Sequence, residues 1–105
     1  MRLAFVYLPL AEKVLTDDEW RIVERQLLEN PKAGDVIAGT GGVRKLRVAF
    51  EHRGKSGSAR TIYLHVDARQ RVYFLLAYAK NDQEDMSAAE KKQIRALVEH
   101  LKRFG

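Results

Sequence analysis

The run Val72–Ala79, VYFLLAYA, is apolar at every position and only eight residues long. A segment this short, rich in aromatic residues and apolar on both alternating faces, reads as a strand with a neighbour on each edge and cover on each face. It therefore demands a layered domain. Two further runs supply partners. From Arg60 to Val66, Ile62, Leu64 and Val66 alternate with Thr61, Tyr63 and His65; from Arg44 to Glu51, Leu46, Val48 and Phe50 alternate with Lys45, Arg47, Ala49 and Glu51. The GKSGS stretch Gly54–Ser58 between them is a hairpin loop, so the two are antiparallel neighbours. Leu3–Leu8 is a first strand that Pro9 ends. A meander with this strand added parallel to the last one places Val72–Ala79 in the middle and Arg44–Glu51 near an edge.

Helices must cover the faces. Thr16-Asp17-Asp18-Glu19 is a capping box, and Trp20, Val23 and Leu27 then fall on one helical face before the chain reaches Asn30 and Pro31. A helical turn over Leu10–Leu15 would make this a hairpin. A second capping box, Ser87-Ala88-Ala89-Glu90, opens a helix with the stripe Ile94, Leu97, Val98 and Leu101. Gly34, Gly39, Gly41 and Gly42 mark a loop before Val43, and its GTGG lacks the spacing of a nucleotide-binding loop. The expected architecture is α+β: a small, mostly antiparallel sheet with an N-terminal helical hairpin and a C-terminal helix. With 105 residues and 46% hydrophobic content, residues 1–105 form a single domain.

The absence of cysteine excludes disulfides and thiolate metal sites and fits a reducing cytoplasm. LAFVYLPLA behind Arg2 is followed at once by Glu12 and Lys13, so it does not read as a signal peptide. Nothing approaches the roughly 20 apolar residues of a membrane span. Three scattered histidines make no metal site, and Asp82, Glu84 and Asp85 precede a helix, where acids complement the dipole. No metal or cofactor is expected.

Charge is concentrated in one segment. From Gly39 to Arg60 the chain holds Arg44, Lys45, Arg47, Arg53, Lys55 and Arg60 against Glu51 alone, a net of +5 that equals the formal charge of the whole protein. Such a local field selects polyanions, and RNA or DNA phosphate is the first partner to consider. Lys45 and Arg47 share a strand face and Arg60 opens the adjacent strand, so the three could converge on one phosphate. Lys80, closing the central strand, is a fourth candidate. If RNA is cleaved through its own 2′-hydroxyl, cations stabilise the extra charge on phosphorus as it grows. Arg44, Arg53 and Lys55 would add RNA or ribosome contacts, and Tyr63 is the best candidate for stacking on a base. His65 could serve as a general base, although a lone histidine on a half-buried strand is more often structural. The other readings of His52 and His100 are as loop and helix-flank residues.

The blocks NPKAGDVIAGTGGVRKLR (Asn30–Arg47), RGKSGSARTIY (Arg53–Tyr63) and YAKN (Tyr78–Asn81), with the acidic stretch that follows, resemble the RelE superfamily of bacterial toxin–antitoxin toxins, in particular its HigB-type group. The likeness covers nearly the whole chain. It implies helices packed on a small sheet, and a metal-free endoribonuclease that cuts mRNA in the ribosomal A site and is neutralised by a cognate antitoxin, here of helix-turn-helix, HigA type. Arg60 matches the strand arginine of the family's Arg-x-x-Tyr pattern, Lys80 the basic residue closing the last strand, and Lys45 and Arg47 the alternating basic pair. Asn81 and Ser87 stand near places where many relatives carry arginine and tyrosine, and Ser58 replaces a usual loop glycine. Two rivals are a ParE-like toxin that inhibits DNA gyrase without cleavage and a plain RNA-binding module. The dense basic cluster favours phosphate recognition over a protein target.

Overall fold

The computed structural model describes residues 3–12, 14–50, 58–79 and 86–104. The doubly apolar run becomes β5 (Arg71–Ala79), paired on one side with β1 (Ala4–Tyr7) and on the other with β4 (Ser58–Val66). β3 (Arg44–Ala49) lies beyond β4, and a two-residue strand, β2 (Asp35–Val36), adds to its outer edge. The order is β1-β5-β4-β3-β2, with β1 parallel to β5 and every other pair antiparallel. The anticipated meander and parallel N-terminal strand are both present. The expected middle strand is displaced by one place, because β2 makes β4 the centre; accordingly Thr61, Ile62, Tyr63 and Leu64 are buried on both of its faces.

Between β4 and β5 the register slips, Ile62 facing Leu76 while Tyr63 faces Phe74. Leu75 is the extra residue of a bulge, so Leu75 and Leu76 both go to the same hydrophobic cluster and the alternation of β5 changes phase there. The turn from β4 to β5 is a short 3₁₀ segment, Asp67–Arg69, closed by Gln70 in the left-handed region at φ 52°.

Helices α1 (Pro9–Glu12) and α2 (Asp17–Glu29) cover one face of the sheet. Pro9 both ends β1 and occupies the first position of α1, where its missing N–H costs nothing. The first capping box forms as its residues require: Glu19 N–H donates to Thr16 Oγ1 at 3.2 Å, and Thr16 N–H donates to Glu19 Oε1 at 2.9 Å. Trp20, Val23 and Leu27 then pack on Leu46, Val48, Phe50, Tyr63 and Phe74. Val23 and Leu27 are fully buried, each contributing roughly 1.5–3 kcal/mol. Phe74 is the hub, its ring centroid 4.7 Å from Trp20, 5.0 Å from Tyr7 and 5.7 Å from Phe5.

The opposite face receives α3 (Ala88–Phe104), opened by the second capping box, in which Ser87 N–H donates to Glu90 Oε1 and Glu90 N–H to Ser87 Oγ. Val98 and Leu101 pack on Val43, Ile62, Leu64, Tyr73 and Leu75. The glycine loop before β3 also lies on α3. Arg95 donates to Gly39 O from Nε at 3.1 Å and Nη2 at 3.0 Å, and Lys102 Nζ donates to Gly41 O at 2.9 Å. Gly41 needs its left-handed φ of 83°, and a Cβ there would stand 3.3 Å from Val98 Cγ1. Thus α3 covers the end of its sheet face nearest Val43 and Leu64.

Candidate nucleic-acid interface

On β3 the residues Val43, Lys45 and Arg47 share one face by the period of two, and the first of them is core under α3. Beyond α3 that face carries charge. Arg47 stands directly opposite Arg60 of β4, and Arg60 directly opposite Tyr78 of β5; one row along, Lys45 faces Ile62. The register therefore brings Lys45, Arg47 and Arg60 onto one face of adjacent strands. Side chains paired in this way have Cβ atoms about 4.5–5.5 Å apart, and like charges so placed repel. Among the described residues, neither Arg47 nor Arg60 has an acidic partner; Arg60 Nη1 donates only to Ser58 Oγ, at 3.2 Å. A bound anion would relieve this repulsion, and guanidinium groups bind phosphate oxygens bidentately.

Beside this row lies a recess of about 310 Å³ lined by Ile37, Lys45, Ile62, Tyr78, Met86 and Lys91. Ile37, Ile62, Tyr78 and Met86 share its lining with two cations, Lys45 and Lys91, which come from different layers, the sheet and α3. A larger recess, about 440 Å³, belongs to the helical-hairpin side and is lined by Tyr7, Glu12, Asp17, Trp20, Arg21 and Glu24. Its three carboxylates repel phosphate, and burial pushes the Glu24 carboxyl above the usual range. The sign of the charge selects the smaller recess for an anionic ligand.

Several expected contacts are not on this face. Arg44, next to Lys45, points to the other side of the strand, where its Nη1 donates to Gly34 O at 2.8 Å and Lys32 O at 3.2 Å. It fastens the connection after α2 and does not join the cluster. Tyr63 is 0% exposed, which leaves no ring face for a base to stack on. Its hydroxyl donates to Pro31 O and accepts from Gly34 N–H, each at 2.9 Å. Burial pushes its phenol above the ordinary value, against the opposing pull of the Gly34 bond and Arg44. Gly34 must be glycine, since a Cβ would come within 2.9 Å of both Lys45 O and Tyr63 Cε1.

His65 shares the helical-hairpin side of β4 with Tyr63, across the sheet from Arg60. Its side chain is 7% exposed, with Nε2 3.9 Å from Asp67 Oδ1 and without a hydrogen-bond partner. Burial lowers its pKa first; Asp67 pulls it up, while Lys32 and Arg44 push it down. Its ring lies on the opposite sheet face from Arg47 and Arg60. His100 is exposed on α3 with its ring 5.1 Å from Phe104. Lys80, Arg53 and Lys55, with His52, Asn81, Asp82, Glu84 and Asp85, lie outside the described residues.

Ile37, Met86 and Lys91 belong to the recess and carry no motif that singles them out. Only the docking of the glycine loop and the start of α3 over the sheet brings them together. Among the described residues, no helix is long and apolar enough to cross a membrane. Compared with known protein families, residues 21–105 match the family described as the RelE toxin of the RelE/RelB toxin–antitoxin system.

Proposed function

Because this chain belongs to the RelE toxin family and is the toxin of a type II toxin–antitoxin system, we propose that it is a ribosome-dependent mRNA endonuclease. The observation that carries the reading is the facing pair Arg47 and Arg60, neither of which has an acidic partner among the described residues, with Lys45 on the same sheet face and paired across to Asp35 of β2. In this chemistry the ribose 2′-oxygen loses its proton and bonds to phosphorus, the bond from phosphorus to the 5′-oxygen breaks, and that oxygen takes a proton. The products are a 2′,3′-cyclic phosphate and a 5′-hydroxyl. Negative charge on the phosphoryl oxygens grows along the way. The Arg60 guanidinium is carried on a strand paired on both edges, so little rearrangement is needed for it to meet that charge, which favours the transition state over the ground state. Arg60 and Lys80 take the stabilising role, Lys45 and Arg47 orient the phosphate, and Arg53 and Lys55 reach ribosomal RNA.

Within the family we assign the chain to the HigB-type group on its Asn30–Arg47 and Arg53–Tyr63 blocks, with a helix-turn-helix antitoxin as its cognate partner. Mapping transcript 5′ ends after induction tests the activity. New 5′-hydroxyl ends within translated codons are expected, and disappear when translation is blocked before induction. Intact mRNA accompanied by DNA damage would instead favour a gyrase-directed toxin.

A further inference from the structure

The basic surface does not stop at the sheet. Lys91, on the second turn of α3, lines the recess that holds Lys45, and it also lines a neighbouring recess of about 350 Å³ formed with Gly39, Ala88, Lys92 and Arg95. One lysine is thus common to both hollows, and the cations run without a break from Arg47 and Arg60 through Lys45 and Lys91 to Lys92 and Arg95. Lys92 and Arg95 are exposed, and neither Lys91 nor Lys92 has an acidic partner among the described residues. Arg95 is fixed in place by Gly39 O, which engages only two of its five N–H groups. The nearest acid in sequence, Glu90, is turned to the cap, where Oε1 accepts from Ser87 N–H at 2.9 Å.

Resting on the reading that this protein binds RNA, we infer that Lys91, Lys92 and Arg95 form a second set of phosphate contacts, one for each lysine. The RNA backbone then runs from the Arg47–Arg60 row across the mouth of the Lys45–Lys91 recess and onto the first turns of α3. The α3 contact adds affinity and register. The chemistry stays at the sheet.

The test uses Lys91→Gln/Lys92→Gln, which spares the Arg95 clamp on the glycine loop. The probe is a short 2′-O-methyl oligoribonucleotide, which keeps the phosphates and lacks the nucleophile. Each phosphate contact on a single strand contributes about 0.7 to the slope of log K against log salt, so the double variant should lose about 1.4 from that slope. The single-turnover cleavage rate at saturating programmed ribosomes should stay within about twofold of the parent in Lys92→Gln alone, because Lys92 lies outside the Lys45 recess and the interaction it loses is uniform binding. The control is Arg25→Gln/Arg103→Gln, an equal loss of exposed charge away from the recesses, whose slope should be unchanged. An unaltered slope in the Lys91/Lys92 variant, or an equal fall in both, would overturn the inference. Failure of the parent protein to cut mRNA would instead overturn the nuclease reading and leave the oligonucleotide result standing separately.

Discussion

Replacing Tyr63 with phenylalanine distinguishes a structural hydroxyl from an RNA-stacking ring. The ring is fully buried, so the substitution leaves packing nearly intact and removes one donor and one acceptor. Gly34 is buried as well, and its N–H donates to the Tyr63 hydroxyl at 2.9 Å; orphaning it costs about 1–3 kcal/mol. Pro31 is only partly buried, so its carbonyl can turn to water, and that loss is roughly 0.5–1 kcal/mol. Together the change should destabilise by about 2–3 kcal/mol. An unfolding entropy of about 2.1 cal/mol/K per residue gives roughly 220 cal/mol/K for a chain of this length, so 1 kcal/mol moves Tm by about 4–5 °C. Scanning calorimetry should therefore place Tyr63→Phe about 10 °C below the parent. Its cleavage rate and RNA salt slope, measured at a temperature where both proteins are folded, should match the parent. An unshifted Tm, or a variant of normal stability with weakened RNA binding, would refute the buried-hydroxyl argument.

Three other outcomes follow from the same geometry. His65 has a folded pKa below its unfolded value, so the stability tied to its neutral form is present above about pH 6.5 and is lost as pH falls through the folded value; urea midpoints should decline from pH 7.5 to pH 5, less steeply in His65→Gln, and parallel declines would remove His65 as a cause. Thr16→Ala should cost about 1 kcal/mol by loss of the Glu19 N–H bond, read as a lower urea midpoint at constant m, whereas an unchanged midpoint would mean the cap contributes nothing. Arg44→Ala should lower stability by releasing the Lys32 and Gly34 carbonyls, with a cleavage rate near that of the parent; a rate loss without destabilisation would return Arg44 to the RNA face.

What could be read from the chain was the local and the periodic. Both capping boxes need only residues three apart, and both form with the bonds their side chains predict. The alternation of β3 put Leu46, Val48 and Phe50 in the core and Lys45 and Arg47 opposite them, as found. The same period excludes Arg44 from that face, yet its place beside Lys45 in the sequence invites counting it with the cluster. β2 escaped notice because two residues carry no period. Tyr63 looks like a surface aromatic among Thr61 and His65, and only long-range contacts seal it, the packing of α2 and Phe74 on its ring and the hydroxyl bonds to Gly34 and Pro31, 29 and 32 residues away. Lys91 reads as one of several solvated helix cations until α3 docks beside Lys45. The family match accounts for the toxin assignment, while the roles proposed for Lys45, Arg47 and Arg60 rest on the register of β3, β4 and β5.

The central claim is that Arg60, facing Arg47, grips the phosphate more tightly as it breaks than before. Single-turnover cleavage of mRNA on purified programmed ribosomes, measured beside ribosome affinity for Arg60→Ala, tests it most directly. Losing one preorganised donor should slow cleavage by about 10²–10³, with affinity changed by less than about tenfold. Equal losses in rate and affinity, or an unchanged rate, would contradict it.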